Sequence, residues 1–286
     1  MSTTVPGTGS ARSAARPRAL IVTIYGLYAR EAGGWLSVSS LIRLMAALGV
    51  DEPAVRSSIS RLKRRGILEA RRQDNAAGYA LSERARHILD EGDRRIFERP
   101  RARLRDGWVL AVFSVPESER RKRHTLRSRL SWLGFGAVGP GVWVAPSHLE
   151  HEARDVLERH GLSDYVDLFA ASYLGFRDVR AEVATWWDLA GLDRMYADFC
   201  AAHGPVLTRW RRRRSPDDPQ RAFADYVRAL TAWRRLPFLD PGLAAELLPR
   251  DWTGVRAADL FGGLRTRLEP AARRHVEQVC GSRPVS

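Results

Sequence analysis

Only two cysteines, Cys200 and Cys280, occur among the 286 residues. Two cannot build a disulfide framework, and the absence of any C-x-x-C pair removes the usual cysteine metal site; a reducing compartment is expected. No window holds the ~20 apolar residues that a membrane span needs. The opening stretch Met1–Arg16 is Ser, Thr, Gly, Ala and Arg without the hydrophobic centre of a secretory signal. A cytoplasmic location with no membrane partner is therefore expected. Neither a G-x-S-x-G elbow nor a G-x-x-x-x-G-K-[ST] phosphate loop is present. Acidic residues are also in short supply, 33 Asp+Glu against 47 Lys+Arg, leaving a net charge of +14. That surplus favours nucleic acid or phosphate-bearing ligands, although an Ala- and Arg-rich composition contributes to it. What is plentiful is apolar surface, 44% of residues, enough for real cores in a chain long enough for two or three domains.

The most informative stretch runs from Gly49 to Ser82. Asp51, Glu52 and Pro53 supply an N-cap oxygen, a first-turn carboxylate and a proline, as a helix start prefers. Val55, Ile59 and Leu62 then recur at i, i+4 and i+7 and make one face apolar. At about 100° per residue, Ser57, Ser60, Arg61 and Arg64 point the other way, with Arg56 and Lys63 on a flank. Gly66 predicts the stop. Ile67–Arg72 and Tyr79–Leu81 are β-like runs joined by a polar tip, with Arg71 and Arg72 on the shoulder. Serines let a helix backbone approach base edges, and arginines reach guanine acceptors or phosphates. The pattern predicts a recognition helix followed by a wing, and so a DNA-binding regulator; an ordinary surface helix with solvated charges is the alternative.

In chain order, residues 1–16 are expected to be a disordered tail. A helix over Pro17–Arg30 carries Leu20, Ile24, Leu27 and Tyr28 on one side. Trp35-Leu36 is a short strand, and Ser37 or Ser39 caps a helix with Val38, Leu41, Ile42, Met45 and Leu48 facing inward. A helix from Ser82 to about Phe97 places Ala85, Ile88, Leu89 and Ile96 on one stripe. This order predicts a winged helix-turn-helix over 17–98. Glu98–Arg105, charged and proline-containing, reads as a linker. Trp108–Val115 (strand), Glu117–Leu133 (helix with a dense basic face), Phe135–Val138 and Val142–Ala145 (strands), Leu149–His160 (helix) and Tyr165–Tyr173 (strand) give βαββαβ, a ferredoxin-like domain over 106–178. Helices are expected at Arg180–Gly191, Leu192–His203, Gln220–Arg234, Pro241–Leu247 and Val255–Val279, with RWRRRR (209–214) an exposed loop or helix end. The expected class is α+β, closing with a mostly α-helical domain over 179–286 for effector binding or dimerisation.

Three segments carry a family resemblance: AVRSSISRLKRRGIL leading into the wing, WVLAVFSVPESERRKRHTLRSRLSWLGFGAVGPGVWVAP in the middle, and WRRLPFLDPGLAAELLPRDWTG near the end. With them the chain resembles the PaaX family of bacterial transcriptional repressors from Pro17 to about Val279. The resemblance implies a homodimeric repressor on palindromic operator DNA, released when an acyl- or aryl-CoA thioester accumulates; phenylacetyl-CoA is the leading candidate. Ala244 and Thr253 stand where proline is expected in family members. No cofactor is implied beyond such an effector. Its phosphates call for Arg or Lys and its adenine or aryl group for aromatic surface. Trp186, Trp187, Tyr226, Trp233, Arg234 and Arg235 supply those types, as does Trp210 among its arginines; helical core packing is the alternative for each.

The middle also looks similar to the small nucleases of CRISPR adaptation systems, which place an aspartate at the end of the first strand. Here Ser114 stands there, with Glu117 further on, and a serine is a poor ligand for a hard cation. His148 and His151, three apart, could share a helix face with Glu152 beside them and bind zinc, but at a helix start they read as surface polar groups. The expectation is a non-enzyme without metal. A metal-dependent nuclease, an acyl-CoA-processing enzyme and an effector-free DNA architectural protein are the alternatives.

Overall fold

A computed structural model of the chain describes residues 17–30, 33–73, 75–213 and 218–281; the expected tail, 1–16, lies outside the described residues. The described residues pack as two units, one drawn from 17–86, 218–231 and 271–281, the other from 87–213 and 232–270. The class is α+β, with two antiparallel sheets and a helical C-terminal part.

In the first unit α1 (Pro17–Ile24) runs on as a π-helical turn, Tyr25–Ala29. Then come β1 (Trp35–Ser37), α2 (Val38–Ala47), α3 (Glu52–Arg64), β2 (Leu68–Gln73) and β3 (Ala76–Leu81), the strands ordered β1-β3-β2. Ser37 caps α2, its hydroxyl accepting from Ser40 N at 3.0 Å. The inner face of α2 is Leu41, Leu44, Met45 and Leu48, spaced i, i+3, i+4, i+7. Leu44 takes the place expected of Ile42, which stays partly exposed, as does Val38. Segments 218–231 and 271–281, which the sequence places in the C-terminal third, pack in this unit. Phe223 meets Tyr28 and His275 at ring distances of 6.0 and 5.2 Å, and the Thr231 hydroxyl donates to that of Thr23 at 2.8 Å.

The second unit begins in α4 (Glu83–Asp93), whose first turn Ser82 caps by accepting from Ala85 N at 3.1 Å. A π-helical turn, Arg94–Glu98, extends it. Ala85, Gly92 and Arg95 are buried. Ile88, expected on the inner stripe, is 43% exposed, because it sits on the turn between Ala85 and Gly92, the two places where α4 is covered. β4 (Trp108–Phe113), α5 (Arg120–Trp132), β5 (Gly136–Gly139), β6 (Val142–Pro146), α6 (Glu150–Arg159) and β7 (Val166–Ala171) follow, with strand order β5-β6-β4-β7 and every neighbour antiparallel. One sheet face packs Val109, Ala111 and Trp143 on Leu126 and Leu130 of α5 and Ala153, Val156 and Leu157 of α6. On the other face Val112 and Phe169 are 39% and 52% exposed.

α7 (Val179–Trp186), α8 (Leu189–Arg211), α9 (Pro219–Trp233), α10 (Leu236–Leu239) and α11 (Thr253–Gly281) complete the chain. Two expected helix boundaries move and one expected helix is lost. The break falls at Trp187-Asp188, where Asp188 accepts from Gly191 N at 2.7 Å and starts α8, which then continues through Pro205 to Arg211. Residues 241–247 are not a helix but an extended segment with one 3-10 turn, Ala245–Leu247. The chain leaves the helical path at Gly242, whose φ is +68° and whose N–H donates to the Asp240 carboxylate at 2.9 Å. The same carboxylate anchors the segment read as a linker. Arg99 and Arg101 reach Asp240 Oδ2 at 3.1 and 3.5 Å, and Ala102 N donates to Gly242 O at 2.8 Å.

Candidate nucleic-acid interface

Helix α3 is built by local rules. Asp51 Oδ1 accepts from Ala54 N at 2.8 Å, and Pro53 sits in the first turn. Val55, Ser58, Ile59 and Leu62 are buried. At the other end Gly66 N donates to Lys63 O at 2.9 Å and Ile67 N to Leu62 O at 3.0 Å, with Gly66 at φ +65°. That pair of bonds is the Schellman stop, and it turns the chain straight into β2.

With its inner face spent on the core, α3 turns Arg56, Ser57, Ser60, Arg61, Lys63 and Arg64 to solvent, and all six are exposed. Arg56 is held by Glu52, Nε to Oε1 at 2.7 Å. The pair is exposed on both sides and four residues apart, worth only about 0.3–0.5 kcal/mol, so another anion displaces it at little cost. Arg61, Lys63, Arg64 and the two serines make no side-chain bond to the described residues. Three cations in the last turn also oppose the negative end of the helix dipole. Arg65, the exposed C-cap residue, belongs with them. It is not among the residues expected from the sequence, although the run KRRG carries the signal.

The hairpin is locked to the helices behind it. Arg71 faces Gly78 and Arg72 faces Ala77 across β2 and β3. Trp35 Nε1 donates to Arg71 O at 3.0 Å, and the Tyr25 hydroxyl donates to Tyr79 O at 2.9 Å. Burial pushes that hydroxyl far above the ordinary tyrosine range, so it stays a donor at every physiological pH. Gly78 is there for space, since a Cβ would lie 2.5 Å from Leu36 O and inside the Trp35 ring. Arg71 and Arg72 are thus fixed at the backbone and exposed at the side chain, and Arg72 donates to Asn75 O at 3.0 Å. Arg86, which no sequence pattern singles out, donates to Gly33 O at 3.0 Å and ties the start of α4 to the turn before β1.

The six aromatic and cationic residues considered for an effector do not form one cluster. Trp186 and Trp187 pack on each other at 6.0 Å and on Trp108 at 5.8 and 6.2 Å, and Trp187 Nε1 donates to Gly134 O at 2.8 Å. Trp233 is fully buried among Tyr196, Phe199 and Phe261. Beside it Arg234 is half-buried, its guanidinium pKa lowered by burial and then by Arg235, which is exposed. Tyr226 is a fully buried residue of the first unit, and Trp210 is fully buried at the end of α8. The second unit instead holds a cavity of about 260 Å³ bordered by Arg94, Arg95, Arg99, Arg101, His148 and Asp240. His148, expected at the surface, is half-buried here with Nδ1 enclosed and without a partner. Burial, then Arg95 and Arg94, hold its imidazole below the ordinary value. Among the described residues no three His, Cys, Asp or Glu side chains cluster as a metal site, and no helix is long and apolar enough to cross a membrane.

Three family models match along the chain: "PaaX-like protein" over 16–85, "PaaX protein central Cas2-like domain" over 101–183 and "PaaX-like protein C-terminal domain" over 187–278. The chain belongs to the PaaX family. Transcriptional repressor PaaX of Escherichia coli (strain K12) is 29% identical over 265 residues, 91% of this chain and 82% of that protein. This homology makes the PaaX-family chain a transcriptional regulator and not an enzyme. Among solved structures, uncharacterized protein Rv0674 from Mycobacterium tuberculosis aligns over 93% of this chain and 100% of its own with a TM-score of 0.63; at 22% identity the likeness is one of fold.

Proposed function

We propose that this PaaX-family chain is a dimeric repressor whose residues 17–98 form a winged helix-turn-helix, with α3 as recognition helix and the β2–β3 hairpin as wing. The observation that carries the reading is the exposed, unpaired Ser57, Ser60, Arg61, Lys63 and Arg64 face of α3, held rigid by a cap at one end and a Schellman stop at the other. Arg61 and Arg64 reach base edges or phosphates, Arg56 and Lys63 the flanking backbone, and Arg71 and Arg72 the adjacent groove. The central residues 106–178 fit a ferredoxin-like βαββαβ domain by strand order. The exposed part of its second sheet face, at Val112 and Phe169, suits pairing with a second copy.

A two-fold assembly sets the spacing of two recognition helices against half-sites about 34 Å apart, so a shift of a few ångströms forfeits one half-site. The effector is an acyl- or aryl-CoA thioester, phenylacetyl-CoA first among them, acting on residues 179–286 or on the arginine-lined cavity of the second unit. Trp186, Trp187, Arg234 and Arg235 retain aromatic and cationic surface for it. Gel shifts on fragments selected from the host genome, with and without a thioester panel, test this. Specific binding relieved by one thioester is expected; the absence of any selected fragment refutes the DNA reading, and unchanged affinity across the panel refutes the effector.

A further inference from the structure

Helix α5 carries a charge pattern that DNA reading by α3 leaves unused. Its cations divide into two sets. Lys122 pairs with Glu119 at 2.7 Å, and Arg123 pairs with Glu117 at 2.9 Å while also donating to Val115 O at 2.6 Å. The side chains of Arg120, Arg121, Arg127 and Arg129 have no hydrogen bond or ion pair with the described residues. Arg120, His124 and Arg127, spaced i, i+4, i+7, fall within about 40° of one line on the helix, and all three are exposed. That line lies well away from Leu126 and Leu130, which face the core. Arg120, Arg123, His124, Arg127 and Ser128 border one shallow depression, and Arg123 and Arg127 also border a second beside Ser114 and the Gly139–Gly141 turn. No acidic residue lines either depression.

We infer that this stripe is a second DNA contact, on the second unit, that holds phosphates and reads no sequence. The inference rests on the DNA-binding reading above and adds a surface to it. Arg120 and Arg127 stand seven residues apart, about 10 Å along the helix, comparable to the axial rise of roughly three base pairs, so the two can reach separate phosphates. Serine and glycine at the rim let a sugar-phosphate backbone come close. No apolar side chain lies along the exposed line, so the face lacks the buried anchor that a protein partner needs.

The test uses the full chain and a fluorescent mixed-sequence duplex several helical turns long, because phosphate contacts need no operator. Binding is titrated across salt for the natural chain, for Arg120→Gln with Arg127→Gln, and for Lys63→Gln with Arg64→Gln. Each lost phosphate contact lowers the slope of log K against log salt by about 0.9, so the α5 variant loses about 1.8 per chain. Its weakening between 50 and 200 mM salt is then roughly tenfold smaller than that of the natural chain. A natural slope in the α5 variant, with the α3 variant still impaired, overturns the inference and leaves the α3 reading standing. Failure of the natural chain to bind any duplex overturns both. Loss of binding to phosphatidylserine vesicles with unchanged duplex binding assigns the stripe to a lipid surface and overturns the inference too. An unchanged thermal midpoint is expected for the variants; should the Gln pair unfold, Arg120→Gln and Arg127→Gln made singly must each lower the slope by about 0.9, and a natural slope in both overturns the inference.

Discussion

Two glycines of the first unit look alike in the sequence yet should fail in different ways when given a methyl group. At Gly78 the added Cβ lies 2.5 Å from Leu36 O and inside the Trp35 ring, and Leu36 O belongs to backbone that cannot swing aside. Trp35 must leave its place over β3, and with it goes the bond from its Nε1 to Arg71 O, 3.0 Å long. Forced overpacking costs about 1–3 kcal/mol and the lost bond about 1 kcal/mol. The stiffer unfolded chain returns about 0.4–1 kcal/mol. Gly78→Ala should therefore destabilise the unit by about 2–3 kcal/mol. A Cβ at Gly66 would meet no atom within 4 Å, so only the left-handed backbone, φ +65°, opposes a methyl group there. Gly66→Ala should cost about 1 kcal/mol after the same unfolded-state offset. By scanning calorimetry the first transition should fall by roughly 8–12 °C for Gly78→Ala and about 4 °C for Gly66→Ala. Equal shifts, or the larger one for Gly66→Ala, would refute the claim that Trp35 and Leu36 fill the space beside Gly78.

Arg61→Ala or Arg64→Ala should weaken operator binding by about 1–3 kcal/mol where the side chain grips guanine, whereas Arg71→Ala or Arg72→Ala should weaken all duplexes alike and flatten the salt dependence; fluorescence anisotropy on matched and mixed sequences separates the two. Asp240→Ala removes the acceptor for Arg99, Arg101, Tyr196 and Gly242 N and leaves the Arg99 guanidinium, 14% exposed, without a counter-charge. A loss of about 3–5 kcal/mol is expected in urea unfolding of the second unit. His148, held below its ordinary value by burial and then by Arg95 and Arg94, binds a proton more readily in the unfolded chain. Its contribution is fully present above about pH 6.5 and is lost progressively as pH falls below that, toward the depressed folded value. His148→Gln should lessen that acid sensitivity, and a pH–stability profile identical to the natural one would exclude the role.

How far the sequence reveals the molecule depends on how local each cause is. Cap, period and stop of α3 all lie within sixteen residues, and Asp51, Val55, Ile59, Leu62 and Gly66 act where their pattern puts them. The strand–helix alternation from Trp108 to Ala171 is legible for the same reason. Asp240 was not, because its partners Arg99 and Arg101 lie about 140 residues away and no periodicity links them. That one carboxylate fastens a segment that composition reads as a linker, and the left-handed Gly242 beside it, at φ +68°, interrupts the helix that 241–247 would otherwise favour. The burial of Trp210 within an arginine run, and of Tyr226 and Trp233, likewise reflects distant neighbours, so residue type alone could not tell an aromatic core from an aromatic ligand surface.

The packing of 218–231 and 271–281 beside the N-terminal helices bears on how the gene can be cut. A polypeptide ending at Arg86 keeps every α3 and hairpin residue proposed to touch DNA but leaves Tyr28 without Phe223 and Thr23 without Thr231. Its bared flank would be greasy where the intact protein is covered, so such a truncation should clump unless the two remote helical pieces are supplied with it.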